Sequence, residues 1–404
     1  MALCGAELRQ RTLLVDRKFH SGMLEFARRI GRPLACVLPA LSDSERLQAI
    51  DHVEVPLADL TYEVRVMPGT RADADIPEVL GRAIEEAALV CVGSSGALNV
   101  RVAELCRARG VRYVAVSETT LRTELDIMRS NTKSRVRRIV RGARLRALHR
   151  QKLAAVANAA ELHANGYPTY LELGRVAPSS LLFFDTRASS ADVVPEAVLQ
   201  ARLESLGRRP PRLLFTGRFH PIKGALDVVK VGLELDRRGV EFRLDLFGAG
   251  PLKDEMVALL RSGGVASKVA IHEPVPYRPD LIEVARGADL FVSCHVQGDP
   301  SCTYLETFAC GVPIAGYANE MWSELCRDSG GGRVVPAGDV AALAQATIDL
   351  LSDVNALREA AFNARRFAAA RSMETAWAQR AERLSILADE AENASARLTW
   401  SAEM

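Results

Sequence analysis

The sequence predicts an α/β protein made of two Rossmann-like, doubly wound domains that face a central cleft. Three observations carry this expectation. Short runs rich in Val, Leu and Ile alternate with longer helical patterns along the 404 residues. The runs are continuously apolar, as strands covered on both faces of a parallel sheet should be. A break over residues 188–211, with Ser-Ser, Val-Val-Pro and Arg-Arg-Pro-Pro, divides them into two series.

In the first series the expected strands are Thr12–Val15, Leu34–Leu38, Val64–Met67, Leu89–Val92 and Val111–Val116, followed by Leu181–Phe184. The second series is Arg212–Thr216, Arg243–Phe247, Val269–His272, Leu290–Cys294 and Val312–Gly316. Between them an amphipathic helix is expected around Glu196–Leu206, and Pro210-Pro211 cannot continue it. The domains are therefore placed at 1–190 and 211–371, with a linker at 191–210. The remaining segment, 372–404, reads as a long helix with Trp377, Leu384 and Leu387 at helical spacing. It either packs in its own domain or crosses back to the first.

Composition narrows the class. Apolar residues make up 48% and charged residues 25%, which excludes a disordered or fibrous chain. Lys+Arg exceed Asp+Glu by 52 − 50 = 2, so overall charge does not mark a nucleic-acid binder. No apolar run approaches the ~18 residues of a bilayer span, and the N-terminus shows no signal core. The eight cysteines include no Cys-x-x-Cys pair, so they read as reduced, mostly buried thiols of a cytoplasmic protein.

Chemistry is expected in the strand-to-helix loops. Leu213 to Gly224 runs from a buried strand through Gly217, Arg218 and Lys223 into a helix. Two cations on one strand-end loop suit a diphosphate, whose charge grows as it departs. In Gly298-Asp299-Pro300-Ser301-Cys302-Thr303-Tyr304-Leu305-Glu306, the segment Ser301, Cys302, Thr303 reads as a helix N-terminus, whose amides and dipole suit phosphate oxygens. Glu306 follows one turn later, either reaching ribose hydroxyls or lying as a solvated helix glutamate.

Gly217-Arg218…Lys223-Gly224, Gly248-Ala249-Gly250-Pro251 and Glu306-x-x-Ala309-Cys310-Gly311-Val312-Pro313 together resemble family 4 of the retaining GT-B glycosyltransferases. The resemblance covers nearly the whole second half and is much weaker in the first. It implies a GT-B fold, a nucleotide-diphosphate sugar (UDP- or GDP-linked) as co-substrate without a further cofactor, and an acceptor held mostly by the first domain. Arg218 and Lys223 would take the diphosphate and Glu306 the ribose. Gly217, Gly248, His272 and Val275 would line the nucleotide. Attack would come from the leaving-group face, with a phosphate oxygen taking the acceptor proton.

One departure stands out. The family usually carries two glutamates separated by seven residues; Glu306 matches the second, and the first falls on Gly298. Asp299 beside it is either the substitute carboxylate near the donor sugar or a turn residue before Pro300.

In the first domain, Ser21 and Gly22 lie where the family has a glycine-containing loop, before a helix expected over Met23–Ile30. A plain cap by Ser21 explains the same residues. Glu118, in a strand-end loop, is a candidate for acceptor contact. From Arg122 to Lys152 there are eleven Lys/Arg and two acidic residues, with Val136, Val140, Ala143 and Ala147 at helical spacing. This segment is either an amphipathic basic helix on an anionic membrane surface at the inner face, or a solvated helix or anionic-acceptor patch.

Asp73-Ala74-Asp75 resembles a metal-binding Asp-x-Asp but precedes a helix start, where Asp is expected as a cap, so no metal is predicted. Neither a Gly-x-Ser-x-Gly elbow nor a P-loop occurs. Two readings remain: a retaining glycosyltransferase acting on a glycan, lipid-linked or small-molecule acceptor, and a non-catalytic nucleotide-sugar or polyanion-binding protein.

Overall fold

The computed structural model describes residues 5–41, 52–67 and 78–402. Asp73-Ala74-Asp75 lies outside them. The chain divides into two compact units: unit 1 comprises 1–119, 143–184 and 374–404, and unit 2 comprises 120–142 and 185–373.

Unit 2 is built on a six-stranded, wholly parallel sheet. From one edge to the other its strands are Val269–His272, Arg243–Phe247, Arg212–Thr216, Leu290–Ser293, Ile314–Tyr317 and Gly332–Val335. In order of sequence this is 3-2-1-4-5-6, the doubly wound order. Leu213, Leu214, Phe215, Leu244, Leu246, Phe291 and Ile314 are buried, as strands covered by helices on both faces must be.

Unit 1 has a parallel four-stranded sheet of Leu89–Gly93, Arg112–Ser117, Glu161–Asn165 and Ser180–Phe183, and a parallel pair, Ala35–Pro39 with Glu63–Met67. Thr12–Asp16 instead pairs antiparallel with Glu7–Leu8 and His52–Pro56. The expected strands therefore form, but this sheet is not wholly parallel.

Several boundaries differ from the sequence reading. Segment 120–142 belongs to unit 2, although it lies within the span 1–190. The region read as a linker is packed in unit 2: helix Glu196–Glu204 buries Leu199 and Leu203 with Val194 and Ala361. Helix Met373–Ala402 falls in unit 1 from residue 374 onward. Its buried stripe includes Trp377, Leu384 and Leu387, and Trp377 meets Phe26 edge-on at 5.6 Å.

The first helix starts at Arg17 rather than Met23, because the Asp16 carboxylate accepts from the Phe19 amide at 2.9 Å. Ser21 and Gly22 are thus helical, not loop, residues. Gly22 is a packing glycine, since a Cβ there would fall 2.3 Å from the Trp377 ring.

The basic segment forms two helices, Leu121–Ser130 and Arg135–Ala157. Lys152, counted among its surface charges from the sequence, is buried and donates to the Thr119 carbonyl at 2.6 Å. Val136 and Ile139 are exposed by 71% and 72%, so their helical spacing does not cover a core. Among the described residues no single helix is long and apolar enough to cross a membrane.

Candidate functional site

In the unit 2 sheet, Arg212–Thr216 lies beside Leu290–Ser293 where the winding reverses. Ligands of doubly wound sheets bind beyond the carboxyl ends of such strands. The two loops that follow, 217–224 and 294–301, are those in which the sequence concentrates charge.

Their backbones dock on each other. The amides of Val296 and Gln297 donate to the Ile222 carbonyl at 3.2 and 3.3 Å. Gly224 has φ +62°, and a Cβ there would lie 2.0 Å from the Cys294 carbonyl oxygen. Glycine alone meets both the backbone angle and the approach. A third loop closes in the same way: a Cβ on Gly248 would stand 1.9 Å from the Gly217 carbonyl, and the Phe219 amide donates to Ala249 at 2.8 Å. The Gly248-Ala249-Gly250 segment thus brings its backbone against the Gly217–Phe219 loop.

Lys223 is buried, and its Nζ lies 3.3 Å from Asp299 Oδ1 and 3.4 Å from Oδ2. Arg218 is exposed and makes no side-chain ion pair among the described residues. Burial first, then the charges of Arg218 and Lys223, hold His220 below its usual pKa, which marks this loop as electropositive.

Three residues beyond Asp299 the helix Cys302–Ala309 begins. Ser301 occupies its N-cap position with no capping bond from its hydroxyl, so no side-chain oxygen takes the place an anion could fill. Thr303 stands half-buried in the first turn. Cys302 turns its Sγ to the Asp185 carbonyl at 3.4 Å.

Glu306 is buried in the second turn of the same helix. Arg187 grips both its oxygens, Nε to Oε1 at 2.7 Å and Nη2 to Oε2 at 3.0 Å. The Arg187 guanidinium also lies 4.5 Å above the Tyr277 ring. Glu306 is therefore no solvated helix residue; it borders a small cavity with Thr216 and Tyr277.

At the far side of the sheet His272 stacks on Phe247 at 4.4 Å and bonds Asp245 Oδ1 through Nε2 at 2.6 Å. The sequence offered no acid to orient His272; the adjacent strand supplies one, because Phe247 and His272 are paired in register. The His272 carbonyl accepts from the Gly248 amide at 3.2 Å, and Val275 is half-buried nearby in sequence.

In unit 1, Glu118 is half-buried immediately after strand Arg112–Ser117. Ser21 and Gly22 stand on the first helix, away from any strand-end loop of their own.

Sequence reasoning missed Arg187, His295 and Glu320. Arg187 lies between the expected strand Leu181–Phe184 and the break that begins at residue 188, with no local signal. His295 lies two residues past the end of strand Leu290–Ser293, is buried, and has neither ring nitrogen hydrogen-bonded among the described residues. Burial, reinforced by Lys223, keeps it neutral by pushing its pKa well below the usual value. Glu320 follows strand Ile314–Tyr317, so a survey of every strand-end loop would have reached it. Among the described residues no group of three or more His, Cys, Asp or Glu could hold a metal ion.

With this geometry in hand, comparison with known proteins identifies the fold as GT-B, the two-domain architecture of many glycosyltransferases. The crystal structure of Anabaena Alr3699/HepE in complex with UDP aligns with a TM-score of 0.64 at 14% identity, over 91% of this chain and 95% of that one. Residues 210–353 match the family model described as Glycosyl transferases group 1. A GDP-mannose-dependent alpha-(1-6)-phosphatidylinositol monomannoside mannosyltransferase of Mycolicibacterium smegmatis is 30% identical over 169 residues, 39% of this chain and 44% of the relative. A 2-deoxystreptamine N-acetyl-D-glucosaminyltransferase of Streptomyces fradiae is 27% identical over 174 residues, 41% of this chain and 39% of the relative. The matched region thus spans less than half the length of either curated relative.

Proposed function

We propose that the protein is a retaining glycosyltransferase, similar to family 4, that moves a hexose-type sugar from a UDP- or GDP-sugar to an acceptor hydroxyl. The observation that carries this reading is the meeting of Lys223 with the loop leading into helix Cys302–Ala309 at the switch point of the sheet. The family-model match over the same region and the two glycosyltransferase relatives support it.

Chemically, the bond between the sugar C1 and the terminal phosphate oxygen breaks, and its electron pair stays on the diphosphate. Lys223, Arg218 and the first-turn amides at Ser301–Thr303 take up that charge, without a metal. The acceptor oxygen forms the new bond on the same face of the sugar, and its proton passes to the departing phosphate oxygen. No side chain is assigned as a covalent nucleophile. Asp299, facing Lys223, acts as a positioning residue. Glu306, held by Arg187, is the proposed ribose acceptor, and Glu118 the proposed acceptor-side contact.

The exposed Val136, Ile139 and Val140, set among Arg135, Arg137, Arg138 and Arg141, extend the proposal to an anionic membrane surface on the cytoplasmic side.

Incubation with UDP-, GDP- and ADP-sugars, with release of free nucleotide as readout, tests the reading. Release that disappears in Lys223→Ala and persists in EDTA is expected. Nucleotide-sugar binding without turnover, with any acceptor offered, would favour a non-catalytic binding protein.

A further inference from the structure

Gly298 raises a question that its backbone does not answer. Its φ lies outside the left-handed region, so nothing in the chain conformation requires glycine there. Space does. A Cβ at 298 would stand 2.9 Å from Glu320 Cβ and 2.9 Å from Glu320 Oε2. The side chain of Glu320 fills the volume that a residue at 298 would use.

Glu320 is held by one end. Thr120 Oγ1 donates to its Oε2 at 2.8 Å, with Thr123 Oγ1 at 3.4 Å, and both threonines are buried. Thr120 is also the N-cap of helix Leu121–Ser130, whose residues pack against the turn Pro221–Lys223. Among the described residues Oε1 makes no hydrogen bond. A half-buried carboxylate with one oxygen anchored and the other open is arranged to accept from a ligand.

Position decides which ligand group that is. Gly298 adjoins Asp299, which lies 3.3 Å from the Lys223 ammonium. In a nucleotide-diphosphate sugar the ring is joined directly to the phosphate that such an ammonium binds. The group next to Lys223 on the open side is therefore the sugar, a ring of hydroxyl donors. Asp299 is unsuited to this task, because both its oxygens face Lys223.

We propose that Glu320 is the carboxylate that accepts hydrogen bonds from the donor sugar hydroxyls and selects the sugar, with Gly298 kept small to admit it. This rests on the glycosyltransferase reading above and adds to it a specificity residue from a different loop.

The test compares affinities for UDP, UDP-glucose, GDP and GDP-mannose by titration calorimetry in the wild type, Glu320→Gln, Glu320→Gly and the double variant Gly298→Glu/Glu320→Gly. The amide of Glu320→Gln can still accept from Thr120, so its thermal midpoint should match the wild type. Expected is a loss of at least tenfold in affinity for the sugar nucleotide, with that for the matching free diphosphate within twofold. The double variant, which returns a carboxylate to the same volume from the other loop, should recover most of what Glu320→Gly loses. Equal weakening toward diphosphate and sugar nucleotide, or no change toward either, overturns the proposal and leaves the glycosyltransferase reading standing. A double variant no better than Glu320→Gly overturns the shared site. A wild type that binds none of the four nucleotides overturns both.

Discussion

Lys223 Nζ lies 3.3 Å from Asp299 Oδ1, so the loops after two adjacent strands of unit 2 meet through an ammonium and a carboxylate. A diphosphate arriving there finds a cation already fixed in place, and it needs only to share the ammonium's hydrogen bonds. Lys223→Ala should lower donor turnover by about 100-fold, the usual scale for removing a charge that stabilises a leaving group. Asp299→Asn leaves the cation in place and should cost less than about tenfold. Steady-state nucleotide release by the two variants checks the order; a larger loss for Asp299→Asn would reverse the assigned roles.

Arg187 and Glu306 form a two-pronged pair around a carboxylate that is only 7% exposed. Removing the arginine leaves a buried charge without its partner, which costs about 3 kcal/mol in comparable cases. Arg187→Ala should therefore destabilise unit 2 by that order in urea denaturation. Glu306→Gln in the same background should restore part of the loss. A double variant no more stable than Arg187→Ala would count against the pairing as the source of the cost.

Two glycines with similar backbone angles separate strain from collision. Gly224 has φ +62° and its absent Cβ would collide with the Cys294 carbonyl, whereas Gly239 has φ +73° and nothing within 4 Å. Gly239→Ala should cost about 1 kcal/mol, the backbone penalty alone. Gly224→Ala should cost at least about 3 kcal/mol, because two backbones must move apart. Denaturation midpoints of the two variants measure the difference.

The basic segment makes a separate prediction. Val136 and Ile139 are exposed by more than two-thirds and sit among arginines, so vesicle binding should need both anionic headgroups and an apolar contact. Co-sedimentation with vesicles of mixed phosphatidylserine and phosphatidylcholine is expected, weakening at high salt and in Ile139→Asp. Equal sedimentation with pure phosphatidylcholine would show that charge plays no part.

What the sequence made legible was the part written in local pattern. Arg212–Thr216, Arg243–Phe247 and Val269–His272 form strands with the predicted ends, because continuous apolar runs bounded by glycine, proline and charge leave little choice. The cations at 218 and 223 and the helix start at 302 were readable for the same reason. Strand Glu161–Asn165 was not, although all five residues are buried, because Glu161, His163 and Asn165 give it a polar face. The partners that make this tolerable, Arg380 and Arg383, lie more than 200 residues away. Arg187 and Glu320 escaped notice likewise, since each gains its meaning only from a residue brought close by folding. At Ser21 a local rule misled: Asp16 offered the better cap one turn and more upstream.

That polar strand yields a pH dependence with a definite sign. In unit 1 the Arg380 guanidinium donates to His163 Nδ1 at 3.5 Å, and the other ring nitrogen, Nε2, bonds Glu161 Oε1 at 3.2 Å. The neutral imidazole thus uses both nitrogens, one accepting and one donating. Burial, with the nearby arginine charges, pushes His163 down to about 4, although Glu161 pulls the other way. Glu161 is itself held down to about 2: burial opposes this, but His163 and Arg383 outweigh it. In the unfolded chain His163 binds a proton near pH 6.5, so between 6.5 and 4 the unfolded state takes up a proton that the folded state refuses. Stability from this residue is complete above 6.5 and falls with decreasing pH, by up to about 1.4 kcal/mol per unit. Glu161 adds a second loss between about 4.5 and 2. Urea denaturation from pH 7.5 to 4.5 should show a decline in the wild type that is shallower by up to one proton in His163→Gln. Parallel slopes for the two proteins would mean that His163 protonates as readily inside the fold as outside it.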